Sequence, residues 1–193
     1  MLFIEEFEGV CMDEKMGKTL HRKEISQGRV FSFGREEVLL PSGVKTDLDI
    51  IKHPGASAII PYRDGQIALI RQYRHASNGY LWEIPAGCLE PGEAPLTCAH
   101  REVQEEAGVK ASKMDNLGSA FMVPGYSDEI IHFFLATGLE DVSMKHDHDE
   151  VILSAQWFSK TQILTMIEKG HLTDGKTLVG LYRAFHHLGD KVS

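Results

Sequence analysis

The feature that most constrains this chain is the stretch at 87–109, GCLEPGEAPLTCAHREVQEEAGV. Pro95 suits a first helical position and Gly108 the residue just past a helix end, while Leu96, Ala99, Val103 and Ala107 recur at helical spacing. A helix is therefore expected over 94–107, with those four residues on its buried face. Steps of three and four bring Glu102, Glu105 and Glu106 onto one side of it, adjacent to the apolar stripe. Each like-charged pair costs about a few tenths of a kcal/mol in water, and more beside a low-dielectric sheet. Solvent or a cation must offset the repulsion. A solvated acidic face is one outcome. The other is an oxygen-ligand site for a hard ion, Mg²⁺ or Mn²⁺, since no paired His or Cys stands nearby to favour a softer metal.

Around this helix the chain reads as strands, helix, strands, helices about a mixed sheet. Residues 18–52 alternate short β-rich runs with Gly, Pro and Ser signals, giving two or three strands of an antiparallel meander. ASAIIPYRDGQIALIRQYR places two apolar runs around Asp64-Gly65, a hairpin signal with a loop of two residues or more. Strands are expected near 117–123, 130–137 and 151–158, a helix ending at Gly170 and a last helix over 175–188. The expected division is an N-terminal meander, 1–52, and a main domain, 53–193.

With 193 residues the chain can build one domain of about 140 residues plus a small appendage. No run approaches the roughly 18 apolar residues of a membrane span. MLFIEEFEGVCMDEK has no basic leader region, so a cytoplasmic location is expected. Cys11, Cys88 and Cys98 lack metal-site spacing and read as reduced thiols. A formal charge of −8 disfavours nucleic acid as a partner, and a phosphorylated substrate would need local arginines or a bound cation.

Gly87, Glu93, Arg101, Glu102, Glu105, Glu106 and Gly108, with Val103 and Val109 at the two aliphatic positions, reproduce G-x5-E-x7-R-E-U-x-E-E-x-G-U without a gap. This resembles the Nudix box. The resemblance implies an α/β/α sandwich with a mixed central sheet, of α/β (α+β) class, here preceded by the small meander. It implies hydrolysis of a nucleoside diphosphate linked to another group, with two or three Mg²⁺ or Mn²⁺ ions. Metal-bound carboxylates would screen the phosphate oxygens and activate water. By that likeness Glu102, Glu105 and Glu106 are metal ligands, Glu105 and Glu106 also belong to the catalytic set, and the carbonyl of Ala86 joins them. Arg101 is expected to orient an acid. Glu93 either stands behind the metal site or favours the helix start.

Downstream, FMVPGYSDE places Pro124 sixteen residues after Gly108, and upstream IRQYRHASNGYLWEIPAG leads into the box; both are similar to the ADP-ribose pyrophosphatase branch. That likeness makes Arg74 a phosphate contact, in preference to Arg71, and makes Pro124 and Glu129 parts of a substrate loop. Glu83 is either a buried ion-pair partner or a group near metal or ribose. The branch places its general base on a loop after the box, where Glu150 is the first choice and Asp147 and Asp149 follow. It also implies a homodimer in which the meander helps form the nucleotide pocket, with Arg29, Phe31 and Asp49 as contacts by position. The expected reaction is hydrolysis of ADP-ribose to AMP and ribose 5-phosphate. Alternatives are a broad nucleoside diphosphate sugar hydrolase, acting on ADP-glucose, GDP-mannose and similar compounds, and a domain that senses ADP-ribose without turnover.

Overall fold

A computed structural model describes residues 15–144 and 151–189. Three strands, β1 (Lys18–Gln27), β2 (Ser32–Leu39) and β3 (Lys45–Lys52), form an antiparallel sheet in the order 1-2-3. The rest of the chain supplies β4 (Ala56–Arg63), β5 (Gln66–Arg74), β6 (Gly79–Glu83), β7 (Ala86–Cys88), α1 (Pro95–Ala107), β8 (Val109–Phe121), β9 (Ile130–Asp141), β10 (Ile152–Ser159), α2 (Lys160–Glu168) and α3 (Gly175–His187). Its sheet runs β10-β5-β4-β9-β8, with β6 on β5 and β7 on β4, and only the β4–β9 pair is parallel.

Both faces of this sheet are covered, which explains why β4 reads ASAIIP without a polar alternation. Ile60, Phe133 and Leu135 face α3, packing with Leu181, Ala184 and Phe185. Ile59, Phe134 and Ala136 face α1, packing with Ala99, Val103 and Ala107. The period-two alternation within Ile59-Ile60 and Phe133-Phe134 thus feeds two cores, one per layer of helix.

The Asp64-Gly65 loop is the two-residue minimum, with φ of 52° and 77°, the paired left-handed conformation of a type I′ turn. Beyond it β4 and β5 pair at only two rungs, Tyr62↔Ile67 and Arg63↔Gln66, and then diverge. The chain from 79 to 88 fills the opening: β6 pairs with β5, β7 pairs with β4, and Ile59 N–H donates to the carbonyl of Pro85 between them at 2.8 Å.

Two expectations need correction. Leu96, read as part of the buried stripe, is 46% exposed; the inward face in the first turns of α1 is supplied by Cys98 and Ala99, and two parallel lines, 98-102-106 and 99-103-107, are buried. The strand expected near 117–123 starts at Val109, because β8 alternates Val109 and Ala111, both buried, with exposed lysine and serine, a pattern too thinly apolar to stand out. A third strand in the meander is present, and the last two helices fall within two residues of the expected ends.

The C-cap Gly108 has φ of 65°, and a Cβ there would lie 2.7 Å from Met144 Cγ and 3.1 Å from the carbonyl oxygen of Val142. Gly108→Ala is expected to cost about 1–2 kcal/mol from left-handed backbone strain alone. Thermal or urea unfolding checks this, and a wild-type midpoint would refute it.

Candidate functional site

The divergence of β4 and β5 brings the loop 84–88 against α1. Ala86 N–H donates to Glu106 Oε2 at 2.7 Å, and this glutamate is fully buried, its Oε1 also shut off from solvent. Glu102 is 6% exposed and its carboxylate lies on the backbone of Gly87, where a Cβ would stand 1.8 Å from Oε1. Glycine is required here because the carboxylate occupies the space a side chain would take. Glu105 is the outermost of the three, with its side chain 38% exposed.

Arg101 offsets part of the charge of this group. Its Nη1 donates to Glu102 Oε1 at 2.5 Å and to Glu105 Oε2 at 3.2 Å, and its Nε and Nη2 clasp Glu93 at 3.1 and 2.9 Å. Its Nη2 also reaches the carbonyl of Cys88 at 3.3 Å and Cys98 Sγ at 3.5 Å. One guanidinium thus spans three carboxylates, which raises its own pKa, chiefly through the Glu93 hydrogen bond, against the opposing effect of burial. Glu93 is held below its ordinary range, first by Arg101. It also accepts from the N–H of Glu90, closing the loop ahead of α1.

The donor set, the Glu102, Glu105 and Glu106 carboxylates beside the backbone of Gly87 and Ala86, is hard oxygen, the donor chemistry that suits a small divalent cation. Among the described residues, however, no three acid, His or Cys side chains already converge as ligands. The reason is visible in the geometry: Glu102 and Glu105 turn to Arg101, and Glu106 turns to the Ala86 amide. Cys98 lies under the loop with its Sγ 3.5 Å from the carbonyl of Gly87, and burial pushes its pKa up to about 12, so it is an inert packing group. The Cys88 thiol is also raised by burial.

Arg74, at the end of β5, pairs bidentately with Glu83, Nε to Oε1 at 2.9 Å and Nη2 to Oε2 at 2.8 Å. Burial opposes its charge, but the Glu83 carboxylate more than compensates, so its pKa is raised, with a further contribution from Glu106. Glu83 is 1% exposed and takes a second cation, Lys176, on Oε2. Lys176 also meets Asp174 at 2.9 Å, and Asp174 caps α3 through the N–H and hydroxyl of Thr177. Thr177 Oγ1 in turn accepts from Ile84 N–H. In the protein alone Glu83 is a buried ion-pair partner. Arg71 lies apart, stacked over Trp82 at 5.3 Å.

The sequence reading missed Lys176, Asp174 and Thr177. Asp174 three residues before a threonine is a helix-start signal, but the tie of Lys176 to Glu83, across 93 residues of chain, leaves no local trace.

Pro124 lines a cleft of about 340 Å³ with Leu48, Ile50, Lys52 and Phe121, between the N-terminal sheet and the loop after β8. The two sheets are joined here: Ile51 N–H donates to Tyr126, Asp128 N–H to Ile51, and His53 N–H to the Asp128 carboxylate. Glu129 faces His53 Nε2 at 3.7 Å. Arg29 lines a separate cleft with Cys88 and Glu93. Phe31 is exposed, and Asp49 is exposed and paired with Arg35. Glu150, Asp147 and Asp149 lie outside the described residues.

A family model described as NUDIX domain matches residues 51–179. The chain belongs to the Nudix family. Among curated relatives, this Nudix chain is 36% identical to an ADP-ribose pyrophosphatase of Bacillus subtilis, over 83% of this chain and 88% of the relative. It is 32% identical to one of Mycobacterium tuberculosis, over 88% and 84%. A GDP-mannose pyrophosphatase of Yersinia enterocolitica is 35% identical over 69% and 74%. A solved structure titled as that of an ADP compounds hydrolase shares the fold, with a TM-score of 0.79 at 20% identity over 92% of this chain and 97% of the other. Nudix hydrolases generally use divalent metal ions, in keeping with the acidic recess. No helix of the described residues is long and apolar enough to cross a membrane.

The clasp at Arg101 makes a pH-dependent prediction. A carboxyl with a lowered folded pKa contributes stability that is full above its ordinary value, near 4.5 for Glu93, and is lost as pH falls through the lowered one. Arg101→Met is therefore expected to lower the melting temperature at pH 7, with the deficit shrinking as pH drops below about 4.5. Thermal melts of both proteins at pH 7 and pH 3.5 read this directly, and an equal deficit at both would refute the electrostatic account.

Proposed function

We propose that this Nudix chain hydrolyses the pyrophosphate bond of ADP-ribose, giving AMP and ribose 5-phosphate. The observation that carries this is the complete acidic set, Glu102, Glu105 and Glu106 around Gly87 and Ala86, in a chain 36% identical over 83% of its length to an ADP-ribose pyrophosphatase. Glu102, Glu105, Glu106 and the Ala86 carbonyl would hold Mg²⁺ or Mn²⁺. Bound there, the ion or ions would screen phosphate charge and lower the pKa of a water molecule.

The chain's own groups supply the rest. Glu102 and Glu105 must exchange Arg101 for the ion, and Arg101, retaining Glu93, stays close enough to hold the glutamates in place. Arg74 offers the bidentate fork that suits a phosphate. Pro124 and Glu129 stand on the loop that borders the N-terminal sheet, where the nucleotide side of the substrate is proposed to lie, with Arg29 on the neighbouring cleft. Glu150 takes the proton from the attacking water, with Asp147 and Asp149 as substitutes. The N-terminal sheet is proposed as the homodimer interface; Leu20, Ile25 and Leu48 are its exposed apolar residues.

A broader nucleoside diphosphate sugar hydrolase is the second reading, favoured by the 35% identity to a GDP-mannose pyrophosphatase. An ADP-ribose sensor without turnover is opposed by the intact acids. Incubation of the purified protein with Mg²⁺ and ADP-ribose, ADP-glucose or GDP-mannose, followed by phosphatase-coupled phosphate release, separates the three. A kcat/KM at least about tenfold higher on ADP-ribose supports the first reading and comparable rates the second, while binding without turnover supports the sensor. Glu106→Gln is expected to lower kcat by about 10²-fold or more, and wild-type turnover in the folded variant would sink the metal assignment.

A further inference from the structure

Glu83 has two cations on one buried carboxylate, and the two differ in how they can leave. The Arg74 side chain is 41% exposed and sits at the end of β5, next to a 3-10 turn at His75–Ser77. Lys176 is 13% exposed and is anchored a second time by Asp174, which is itself fixed as the cap of α3. Glu83 cannot turn to water: it is 1% exposed and its backbone is in the ladder with Ile70. With Arg74 as its sole partner, release of that arginine would strand a charge in the interior, which is strongly unfavourable. Lys176 removes that penalty, because Oε2 keeps a cation whether or not Arg74 stays.

We propose that Lys176 is a positioning residue for substrate binding: it holds Glu83 so that the Arg74 guanidinium can exchange the carboxylate for a substrate phosphate. This rests on the reading of Arg74 as a phosphate contact. Free protein keeps Arg74 folded back on Glu83, and substrate draws it out while Lys176, Asp174 and the cap of α3 stay as they are. Lys176 does not touch the substrate; it sets how firmly the arginine is held.

Three variants test this, Lys176→Met, Lys176→Arg and Arg74→Met, each checked for folding by thermal melt and assayed with Mg²⁺ and ADP-ribose. Arg74→Met is expected to raise KM by about tenfold or more, from loss of a charged phosphate contact. Lys176→Met, which leaves Arg74 locked on Glu83, is expected to raise KM about as much with kcat changed less than about threefold, and Lys176→Arg to restore it. A wild-type KM in Lys176→Met beside a raised one in Arg74→Met overturns the exchange and leaves the phosphate contact standing. A wild-type KM in Arg74→Met overturns the phosphate reading and the exchange with it. A lowered melting temperature in Lys176→Met with both kinetic constants unchanged marks the lysine as structural only, and also overturns the proposal.

Discussion

The structure turns on the opening between β4 and β5. Two strands that start as a tight hairpin part after two rungs, and the backbone groups they expose must find partners in the inserted chain 79–88. Within that insertion Glu83 is held by Lys176 of α3, while the Ala86 N–H and the backbone of Gly87 meet Glu106 and Glu102 of α1. The ion network of Arg74, Glu83 and Lys176 and the acid cluster on α1 are therefore two consequences of one departure from regular pairing, and the charge of Glu106 reaches Arg74 across it.

Charge balance explains the local order. Four glutamates, at 93, 102, 105 and 106, crowd a segment that a sheet partly shields from water, and Arg101 and the Ala86 amide offset their repulsion in the protein alone. The acids are tolerated because an arginine in the same helix spans three carboxylates, and their oxygens are of the hard kind that suits the divalent ions Nudix hydrolases generally use.

Much of this was legible in the sequence because it is local. The helix 95–107 and its caps, the Asp-Gly turn, the three-stranded meander and the last two helices follow from spacing and from Pro and Gly positions. What failed is instructive. Leu96 fits the helical period but lies in the first turn, where Cys98 and Ala99 supply the inward face. The first half of β8 hid because one of its faces is solvated and its buried residues are small. Glu83 was readable only as two alternatives, since its partner Lys176 lies 93 residues away and no periodicity records such a contact.

The Asp64-Gly65 turn also acts as a ruler. Because both residues adopt left-handed backbone, the loop fixes the stagger of β4 against β5, and with it which side chains of β5 enter each layer. Ile67 and Leu69 now point to the α3 side. A one-residue slip of β5 against β4 would invert that alternation, sending its large aliphatics and Arg74 to opposite layers from those they occupy. The turn thus governs the placement of Arg74 although neither of its residues touches the site.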